Sequence, residues 1–390
     1  MKIAKILIGN PNDRKGFFNN VIERTKHLIE VEPNVDCYLI RVENGLILRL
    51  LKRQFKKSNR NEFSVINGIK FRNIWVSMGL FNYLLAHRLH RNIVISKKQL
   101  AAHVSLFEQY DLLSSHGIEA VYLSKLVKKE FNIPFVSTWH GSDINITPFK
   151  SKKSKREIKH LLKAANHNFF VSQKLLETAN NISAQAKKSV LYTGPSNAFY
   201  RYSSAGRLAV ADEYNIKTTY AIGFIGNFVT IKNVLLLPAI FKKLQQCIDD
   251  VSFIIVGDGE LRKRLTDELV KSQIGNVKML GKQEPENIPD IMNVLDVLIL
   301  PSLNEGLPRV TLEAQACGVH VVGSNRGGIP EAIGDANCFE LNEGFVDAIS
   351  SRILTLLRDE QELAALPKQF SWPNAVRHER EVHQNTYATK

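Results

Sequence analysis

The chain has 390 residues, of which 44% are apolar and 23% charged, and its formal net charge is +14. This length favours two domains, each large enough for its own apolar core. The four cysteines are widely spaced and form no C-x-x-C pair, which argues against a disulfide framework or a zinc site and favours a reducing compartment. Because no apolar run is long enough for a signal peptide or a bilayer span, the sequence predicts a cytoplasmic protein, soluble or attached peripherally to the inner face of a membrane.

The excess of positive over negative charge belongs wholly to the first half of the chain. Residues 1–200 carry 32 Lys and Arg against 14 Asp and Glu, whereas residues 201–390 carry 20 against 24. The basic runs lie at 51–60, 88–91 and 150–160. Such runs fit a solvated face, and they also fit attraction to anionic lipid or to an anionic, lipid-linked acceptor. Nucleic acid is disfavoured because neither a helix-turn-helix nor an aromatic RNA-binding pattern accompanies the charge.

Strand and helix patterns alternate along the chain, which favours parallel sheets in an α/β fold. After the first strand, a loop leads to a helix near Phe17–Ile29, with Gly16 at its start. The segment from Met78 to Phe107 is mostly helical in pattern. The predicted strands of the first half are Lys2–Ile8, Cys37–Val42, Ile69–Val76, Leu112–Ser115, Phe135–Thr138, Asn168–Val171 and Ser189–Tyr192.

Two of these strands end in a histidine followed by a glycine. His116 follows one strand, and His140 follows the next within T-W-H-G-S-D. The carboxyl ends of parallel strands meet at one edge of a sheet, so the two histidines should lie close together. A histidine at a strand end is more often a structural hydrogen-bonding group than a catalyst, and the residues alone leave that choice open.

The second half begins again with a strand at Ala221–Ile225, followed by the loop G-N-F-V-T-I-K-N. Further on, V-G-D-G-E-L superficially matches a dinucleotide fingerprint, but Arg262 stands where G-x-G-x-x-G requires its third glycine. The pattern therefore disfavours an NAD-dependent dehydrogenase and predicts a tight strand-to-helix turn.

The most informative stretch is D-V-L-I-L-P-S-L-N-E-G-L-P-R-V-T-L-E, which ends at Glu313. A buried strand is predicted at Val297–Leu300, then a polar turn, then a helix with Pro308 in its first turn. Glu305 would lie at the rim of the sheet and Glu313 one to two turns into the helix. Free N–H groups around residues 306–310 can hold a diphosphate, while the carboxylates accept hydrogen bonds from sugar and ribose hydroxyls. Two glutamates by themselves also fit a solvated loop residue and a surface helix residue.

E-G-L-P-R-V-T-L-E resembles the E-x7-E motif of retaining glycosyltransferases of family 4, which have the GT-B fold. The segments F-I-I-V-G-D-G-E-L and V-K-M-L-G-K before it, and a small-residue helix, a strand and a Gly-Gly loop after it, follow in the family's order. The resemblance is strong over roughly residues 220–340 and weaker elsewhere. Within the family, the chain is most similar to bacterial surface-polysaccharide transferases.

The resemblance implies two Rossmann-like domains whose parallel sheets face each other across a cleft. Residues 1–200 would bind the acceptor and residues 201–370 the nucleotide-sugar donor. Residues 371–390 would form a helix that crosses back to the first domain.

The resemblance also implies roles for single residues of the donor side. Glu305 would orient the hydroxyls of the donor sugar, Glu313 would contact the ribose, and Lys232 would clamp the diphosphate. Asn227 stands where the family has an arginine, and it offers neither charge nor a bidentate fork. The remaining expected donor contacts are Gly306, Leu307, Pro308 and Lys282.

In the first half, the segment W-H-G-S-D resembles the family's H-G-x-D segment. His140 would then contact the donor sugar, with Asp143 and Gly16 on the acceptor side and His116 behind His140. The catalytic group is accordingly predicted to be Glu305, His140 and Lys232.

The implied reaction transfers a hexose or N-acetylhexosamine from a nucleotide diphosphate sugar to a hydroxyl of a glycan or lipid-linked acceptor, with retention at the anomeric carbon. A UDP-sugar is favoured over a GDP-sugar as the substrate, and no cofactor is expected. No metal is expected either, because no D-x-D motif lies near a plausible phosphate site. Two alternatives stay open: a nucleotide-sugar 2-epimerase of the same fold, and a non-catalytic partner subunit whose donor site has degenerated, which Asn227 favours.

Overall fold

The computed structural model describes residues 1–9, 16–51, 60–84, 94, 97–358 and 363–389. The chain divides into two compact units. Unit 1 consists of Met1–Thr193 with Ser371–Lys390, and unit 2 consists of Gly194–Phe370. The sequence had placed this division near residue 200. Of the basic runs at 51–60 and 88–91, residues 52–59 and 88–91 lie outside the described residues.

Unit 1 alternates strands and helices along most of its length. Its strands are β1 (Ile3–Ile8), β2 (Val35–Asn44), β3 (Phe63–Ile66), β4 (Ile69–Met78), β5 (Leu112–His116), β6 (Phe135–Trp139), β7 (His167–Phe170) and β8 (Lys188–Val190). Its helices are α1 (Gly16–Val31), α2 (Leu46–Leu51), α3 (Leu80–Tyr83), α4 (Lys97–Ala101), α5 (Ile118–Phe131), α6 (Ser142–Asn145), α7 (Lys152–Ala164), α8 (Gln173–Ile182) and, from the end of the chain, α16 (Trp372–Ala388).

The described strands of unit 1 form one sheet in the order β3-β4-β2-β1-β5-β6-β7-β8. All neighbours pair in parallel except β3 and β4, which form an antiparallel hairpin at the edge. The hairpin turns at Asn67 and Gly68, both at positive φ, as the Asn-Gly dipeptide prefers. The sheet is therefore parallel, as expected, with one antiparallel hairpin added at its edge.

The predicted helical pattern from Met78 to Phe107 is only partly correct. Met78 ends strand β4, and the described parts of this segment hold two short helices, α3 and α4, and a 3₁₀ turn at Val104–Phe107. Residues 85–93, 95 and 96 of this segment lie outside the described residues.

Helix α16 packs on α1 and β6 and brings a carboxylate into the interior of unit 1. Glu379 accepts hydrogen bonds from Lys5 Nζ at 3.2 Å and from Arg24 Nε at 2.6 Å. His383, one turn further along α16, has its Nε2 3.7 Å from Glu379 Oε1. We call these four residues the buried charge cluster, because every one of them is 0–1% exposed.

Unit 2 has its own sheet, in the order β11-β10-β9-β12-β13-β14. Its strands are β9 (Tyr220–Ile225), β10 (Val251–Val256), β11 (Val277–Gly281), β12 (Val297–Leu300), β13 (His320–Ser324) and β14 (Cys338–Phe339). Its helices are α9 (Ser204–Glu213), α10 (Leu237–Gln245), α11 (Arg262–Lys271), α12 (Ile288–Val294), α13 (Arg309–Ala316), α14 (Ile329–Ile333) and α15 (Phe345–Arg358). Numbered within the unit, the strand order is 3-2-1-4-5-6, that of the Rossmann fold.

The core of unit 2 explains why its strands were legible in the sequence. Every residue of β10 and β12 is buried, and both strands are apolar apart from Ser252 in β10, as expected for parallel strands covered on both faces. Phe253 of β10 stacks on Phe241 of α10 with ring centroids 4.3 Å apart. Strands this firmly packed give the loops at their carboxyl ends a rigid base.

Candidate active site

The strand order of unit 2 reverses between β9 and β12, and this is where open α/β sheets bind ligands. The loop after β9 leads to a 3₁₀ turn at Thr230–Lys232, and the loop after β12 carries Glu305. The backbone joins the two loops, because Leu303 N donates to Ile231 O at 2.8 Å. Two of the predicted catalytic residues therefore lie side by side.

Lys232 and Glu305 form an ion pair at this point. Lys232 Nζ lies 2.6 Å from Glu305 Oε1, and their side chains are 21% and 15% exposed. A hydrogen bond this short between charged groups is among the stronger polar contacts in proteins. The resemblance implied that Lys232 contacts the diphosphate and Glu305 the sugar, but it did not imply that the two side chains bind each other.

The Gly-Gly loop after β13 supports the backbone of Glu305. Gly328 N donates to Glu305 O at 3.0 Å. Gly327 has φ +59°, and a Cβ at that position would come within 2.1 Å of Glu305 O. The loop therefore packs backbone against backbone, which a side chain at 327 would prevent. The Gly-Gly loop noted in the sequence therefore contacts the backbone of the Glu305 loop.

Helix α13 starts one residue later than expected. Pro308 is the residue before the helix, in an extended conformation at φ −75° and ψ 107°, and Arg309 is the first helical residue. Pro308 O accepts hydrogen bonds from the backbone N and the Oγ1 of Thr311. Gly306 and Leu307 are partly exposed in the turn before the helix, as a diphosphate-binding role for their N–H groups requires.

Glu313 lies one turn into α13 and pairs with Arg309. Arg309 Nε is 3.5 Å from Glu313 Oε1, and each side chain is 16% exposed. Burial raises the pKa of Glu313, and Arg309 opposes that shift. The carboxylate expected to contact the ribose is therefore mostly buried and held by a cation that the sequence reading had not singled out. The i, i+4 spacing was a signal for this pair.

The other two expected donor residues are exposed. Asn227 lies in the loop after β9, and Lys282 follows β11. The G-D-G turn packs under the Asn227 loop, because Phe228 N donates to Asp258 O at 2.9 Å. Gly257 has φ +139°, and a Cβ there would meet Gly226 O at 1.8 Å. The paired glycines thus let two loop backbones approach each other, which accounts for the pattern without a dinucleotide.

In unit 1, the two predicted histidines meet at the carboxyl ends of β5 and β6. His116 Nδ1 lies 3.3 Å from His140 Nε2. Burial, with Lys5 and Arg24 nearby, holds the pKa of His116 well below its usual value, and burial, Arg24 and Lys5 lower that of His140 to about 3. Both rings are therefore neutral at neutral pH, so His140 can exchange hydrogen bonds with a hydroxyl but offers no positive charge.

Asp143 holds the loop that carries His140. Its carboxylate accepts hydrogen bonds from His140 N at 3.0 Å and from Gly141 N at 2.8 Å. Burial raises the pKa of Asp143, while these amides favour its ionised form. These contacts fix the turn behind His140, so Asp143 has a positioning role whatever it contacts on the acceptor side. Gly16 begins α1, and the loop just before it lies outside the described residues.

Arg24 links the buried charge cluster to the strand that ends at His140. Its Nη1 donates to Thr138 Oγ1 at 3.1 Å while its Nε binds Glu379. Burial would raise the pKa of Glu379, but Arg24 and Lys5 outweigh it and hold that pKa far below its usual value. Sequence reasoning missed this cluster, although Lys5 inside the apolar run I-A-K-I-L-I was a signal for a buried charge.

Comparison with known proteins shows what the chain resembles. Residues 210–371, nearly all of unit 2, match the family described as glycosyl transferases group 1. Unit 2 is therefore similar to group 1 glycosyltransferases. An uncharacterized glycosyltransferase of Methanocaldococcus jannaschii is 26% identical, over 90% of this chain and 95% of that protein. TuaC of Bacillus subtilis, a glycosyltransferase assigned provisionally to teichuronic acid biosynthesis, is 27% identical over 86% of this chain and 83% of its own length.

A solved structure extends the likeness to both units of the chain. HepE of Anabaena, crystallised in complex with UDP, superposes with a TM-score of 0.75 at 19% identity and covers 99% of this chain and 100% of its own. This likeness confirms the predicted GT-B fold of two Rossmann-like domains. Among the residues described here, no helix is both long and apolar enough to cross a membrane. Nor do three or more His, Cys, Asp or Glu side chains in this part of the chain cluster as metal ligands would.

Proposed function

We propose that this protein is a glycosyltransferase that moves a hexose or an N-acetylhexosamine, with retention at the anomeric carbon, from a nucleotide diphosphate sugar to a hydroxyl of a glycan or lipid-linked acceptor. The observation that carries the proposal is the Lys232–Glu305 pair at the reversal of strand order in unit 2. The pathway we propose is surface-polysaccharide biosynthesis, which the likeness to TuaC supports. HepE has been crystallised with UDP-glucose, which supports a UDP-sugar as the donor.

In this proposal the donor site stabilises the negative charge of the leaving diphosphate without a side chain that acts as a dedicated acid. Lys232 and the N–H groups at residues 306–310 stabilise the leaving diphosphate through preorganised electrostatics. Because Lys232 and Glu305 neutralise each other in the free enzyme, an arriving diphosphate competes for Lys232. Glu305 then has oxygen lone pairs available for the hydroxyls of the donor sugar. Glu313, one turn along α13, accepts hydrogen bonds from the ribose.

The roles proposed in unit 1 follow from the neutral histidine pair. His140 exchanges a hydrogen bond with a hydroxyl of the donor sugar, and His116 fixes its ring through the 3.3 Å contact. Asp143 and Gly16 belong to the acceptor side. The basic first half favours an anionic acceptor, and it also favours peripheral contact with an anionic membrane.

A ligand panel tests the donor half of the proposal. We would measure melting by circular dichroism with UDP, GDP, ADP or NAD, on wild type, on Glu313→Ala and on Glu343→Gln, an exposed control in the same unit. A ligand at 100 times its Kd stabilises the folded state by about 2.7 kcal/mol, which is measurable. We expect one diphosphate to stabilise wild type and the control but not Glu313→Ala. A shift with NAD alone would contradict the proposal.

A transfer assay tests the chemistry. Glu305→Gln should abolish transfer while largely preserving nucleoside diphosphate binding, because the amide cannot accept hydrogen bonds as a carboxylate does. Wild-type transfer by both Glu305→Gln and Glu313→Ala would refute the site. Conversion of the nucleotide sugar without any acceptor would favour a 2-epimerase instead. If no diphosphate stabilises wild type, the non-catalytic partner subunit suggested by Asn227 becomes the better explanation.

A further inference from the structure

Arg309 is a cation of the donor site that the proposed function has not yet used. It is the first residue of α13, and its Nε faces Glu313 at 3.5 Å. Its Nη1 is buried, yet it donates to no atom of the residues that the structure describes. A guanidinium carries five N–H donors, and a buried donor without an acceptor is unfavourable. The site therefore holds a positively charged donor for which an anionic ligand would be the natural acceptor.

The balance of charge around the site points the same way. Lys232 is paired with Glu305 and Arg309 with Glu313, so these four side chains sum to no net charge. A nucleoside diphosphate is an anion, and Asn227 brings no positive charge to it. An arginine that binds a carboxylate through Nε and keeps Nη1 available can hold a second anion at the same time, because its donors point in different directions.

We propose that Arg309 binds an oxygen of the donor diphosphate through Nη1 while its Nε holds Glu313 in position for the ribose. This inference rests on the proposed function. The N–H groups of Gly306 and Leu307 shortly precede Arg309 in the chain, and Glu313 lies about 6 Å further along the helix axis. Neighbouring parts of one nucleotide can therefore contact the turn, Arg309 and Glu313 in that order. Arg309 thus supplies the charge that Asn227 lacks.

The competing explanation is that Arg309 only neutralises Glu313. The two explanations differ in which part of the nucleotide responds to mutation. If Arg309 binds the diphosphate, its loss should weaken UDP much more than uridine, which has no phosphate. If it acts only through Glu313, its loss should weaken both ligands alike, and removing Glu313 as well should add nothing.

The test is isothermal titration of UDP, UMP and uridine, or of GDP, GMP and guanosine if wild type prefers guanine. The proteins are wild type, Arg309→Gln, Arg309→Lys, Glu313→Gln, the Arg309→Gln/Glu313→Gln double variant and Arg264→Gln, an exposed arginine on α11 that serves as the control. We expect Arg309→Gln to weaken the diphosphate by about 10- to 100-fold, as for a hydrogen bond to a charged group, and the nucleoside by less than threefold. Arg309→Lys, which keeps the charge, should fall in between.

Several results would overturn the inference. One is diphosphate binding by Arg309→Gln within twofold of wild type. Another is an equal loss for diphosphate and nucleoside, with the double variant no weaker than Glu313→Gln. Both leave the proposed function standing, since wild type still binds the diphosphate. Failure of wild type to bind any of the diphosphates would instead refute the proposed function. Melting curves without ligand identify a variant that is unfolded. If Arg309→Gln is unfolded, the affinities of Arg309→Lys for diphosphate and nucleoside decide between the two explanations.

Discussion

Glu379 is a buried anion held between two buried cations, and removing its charge should destabilise unit 1. In Glu379→Gln the side chain keeps its shape, but the contacts to Lys5 Nζ at 3.2 Å and to Arg24 Nε at 2.6 Å lose their negative partner. Breaking a buried ion pair from one side typically costs about 3–5 kcal/mol, because the remaining charge stays buried without compensation.

The contacts of Lys5 place the expected loss of stability of unit 1 at the lower end of that range. Burial already lowers the pKa of Lys5 to about 8, so Lys5 can release its proton once the carboxylate is gone. The Arg24 guanidinium loses the anionic partner at its Nε without such relief. We therefore expect a loss of about 3 kcal/mol. For a unit of this size each kcal/mol lowers the Tm by about 2–4 °C, so the Tm should fall by about 6–12 °C.

Tryptophan fluorescence reports this change selectively. The three tryptophans of the chain, Trp75, Trp139 and Trp372, all lie in unit 1, so their emission follows the melting of that unit. The matched control is Glu381→Gln, an exposed glutamate two residues further along α16, which should stay within about 0.5 kcal/mol of wild type. If both variants melt within about 2 °C of each other, the buried charge cluster does not stabilise unit 1 in the way the contacts indicate.

Two further predictions concern the Glu305 loop and the response of unit 1 to acid. Gly327→Ala should displace the Glu305 backbone and reduce transfer at least tenfold, whereas Gly344→Ala, at an open position near the end of unit 2, should not; equal kcat values would contradict the packing. In unit 1, the pKa values of His140 and His383 are lowered to about 3 and about 4, so the unfolded state binds more protons than the folded state below pH 6.5. Stability should therefore be full above pH 6.5 and fall by about 1.4 kcal/mol per pH unit for each histidine as pH drops towards 4. An acid titration followed by tryptophan emission checks this, and a midpoint below pH 3 would contradict it.

Much of the architecture could be predicted because it is determined by the local sequence. Strands β10 and β12 of unit 2 are buried apolar runs interrupted only by Ser252, and the E-x7-E stretch follows β12 directly. The edge hairpin was missed even though its signal was present: F-S-V-I-N-G-I-K-F has an Asn-Gly turn between two alternating segments. The helical pattern predicted from Met78 to Phe107 begins in the last residue of β4, because periodicity alone does not fix where a short apolar strand ends and a helix begins.

The site was predictable in its location but not in its contacts. Lys232 and Glu305 are 73 residues apart, and both were expected at a strand rim. Their pairing depends on β9 and β12 being neighbours, which only the strand order of the folded sheet decides. Arg309 and Glu313 had a readable spacing, but spacing alone does not predict the burial that leaves Nη1 without an acceptor among the described residues.

The position of α16 in unit 1 also has a consequence for how the protein is made. Glu379 lies 374 residues after Lys5 and 355 after Arg24, and all of unit 2 is translated between them. While the ribosome completes unit 2, at about 5–20 residues per second, the two cations have no carboxylate from α16 and their site in unit 1 is incomplete. Unit 2 is continuous in sequence and can finish folding as soon as it emerges. Translation of unit 1 therefore starts before unit 2 is made, but its buried charge cluster cannot form until α16 has been synthesised.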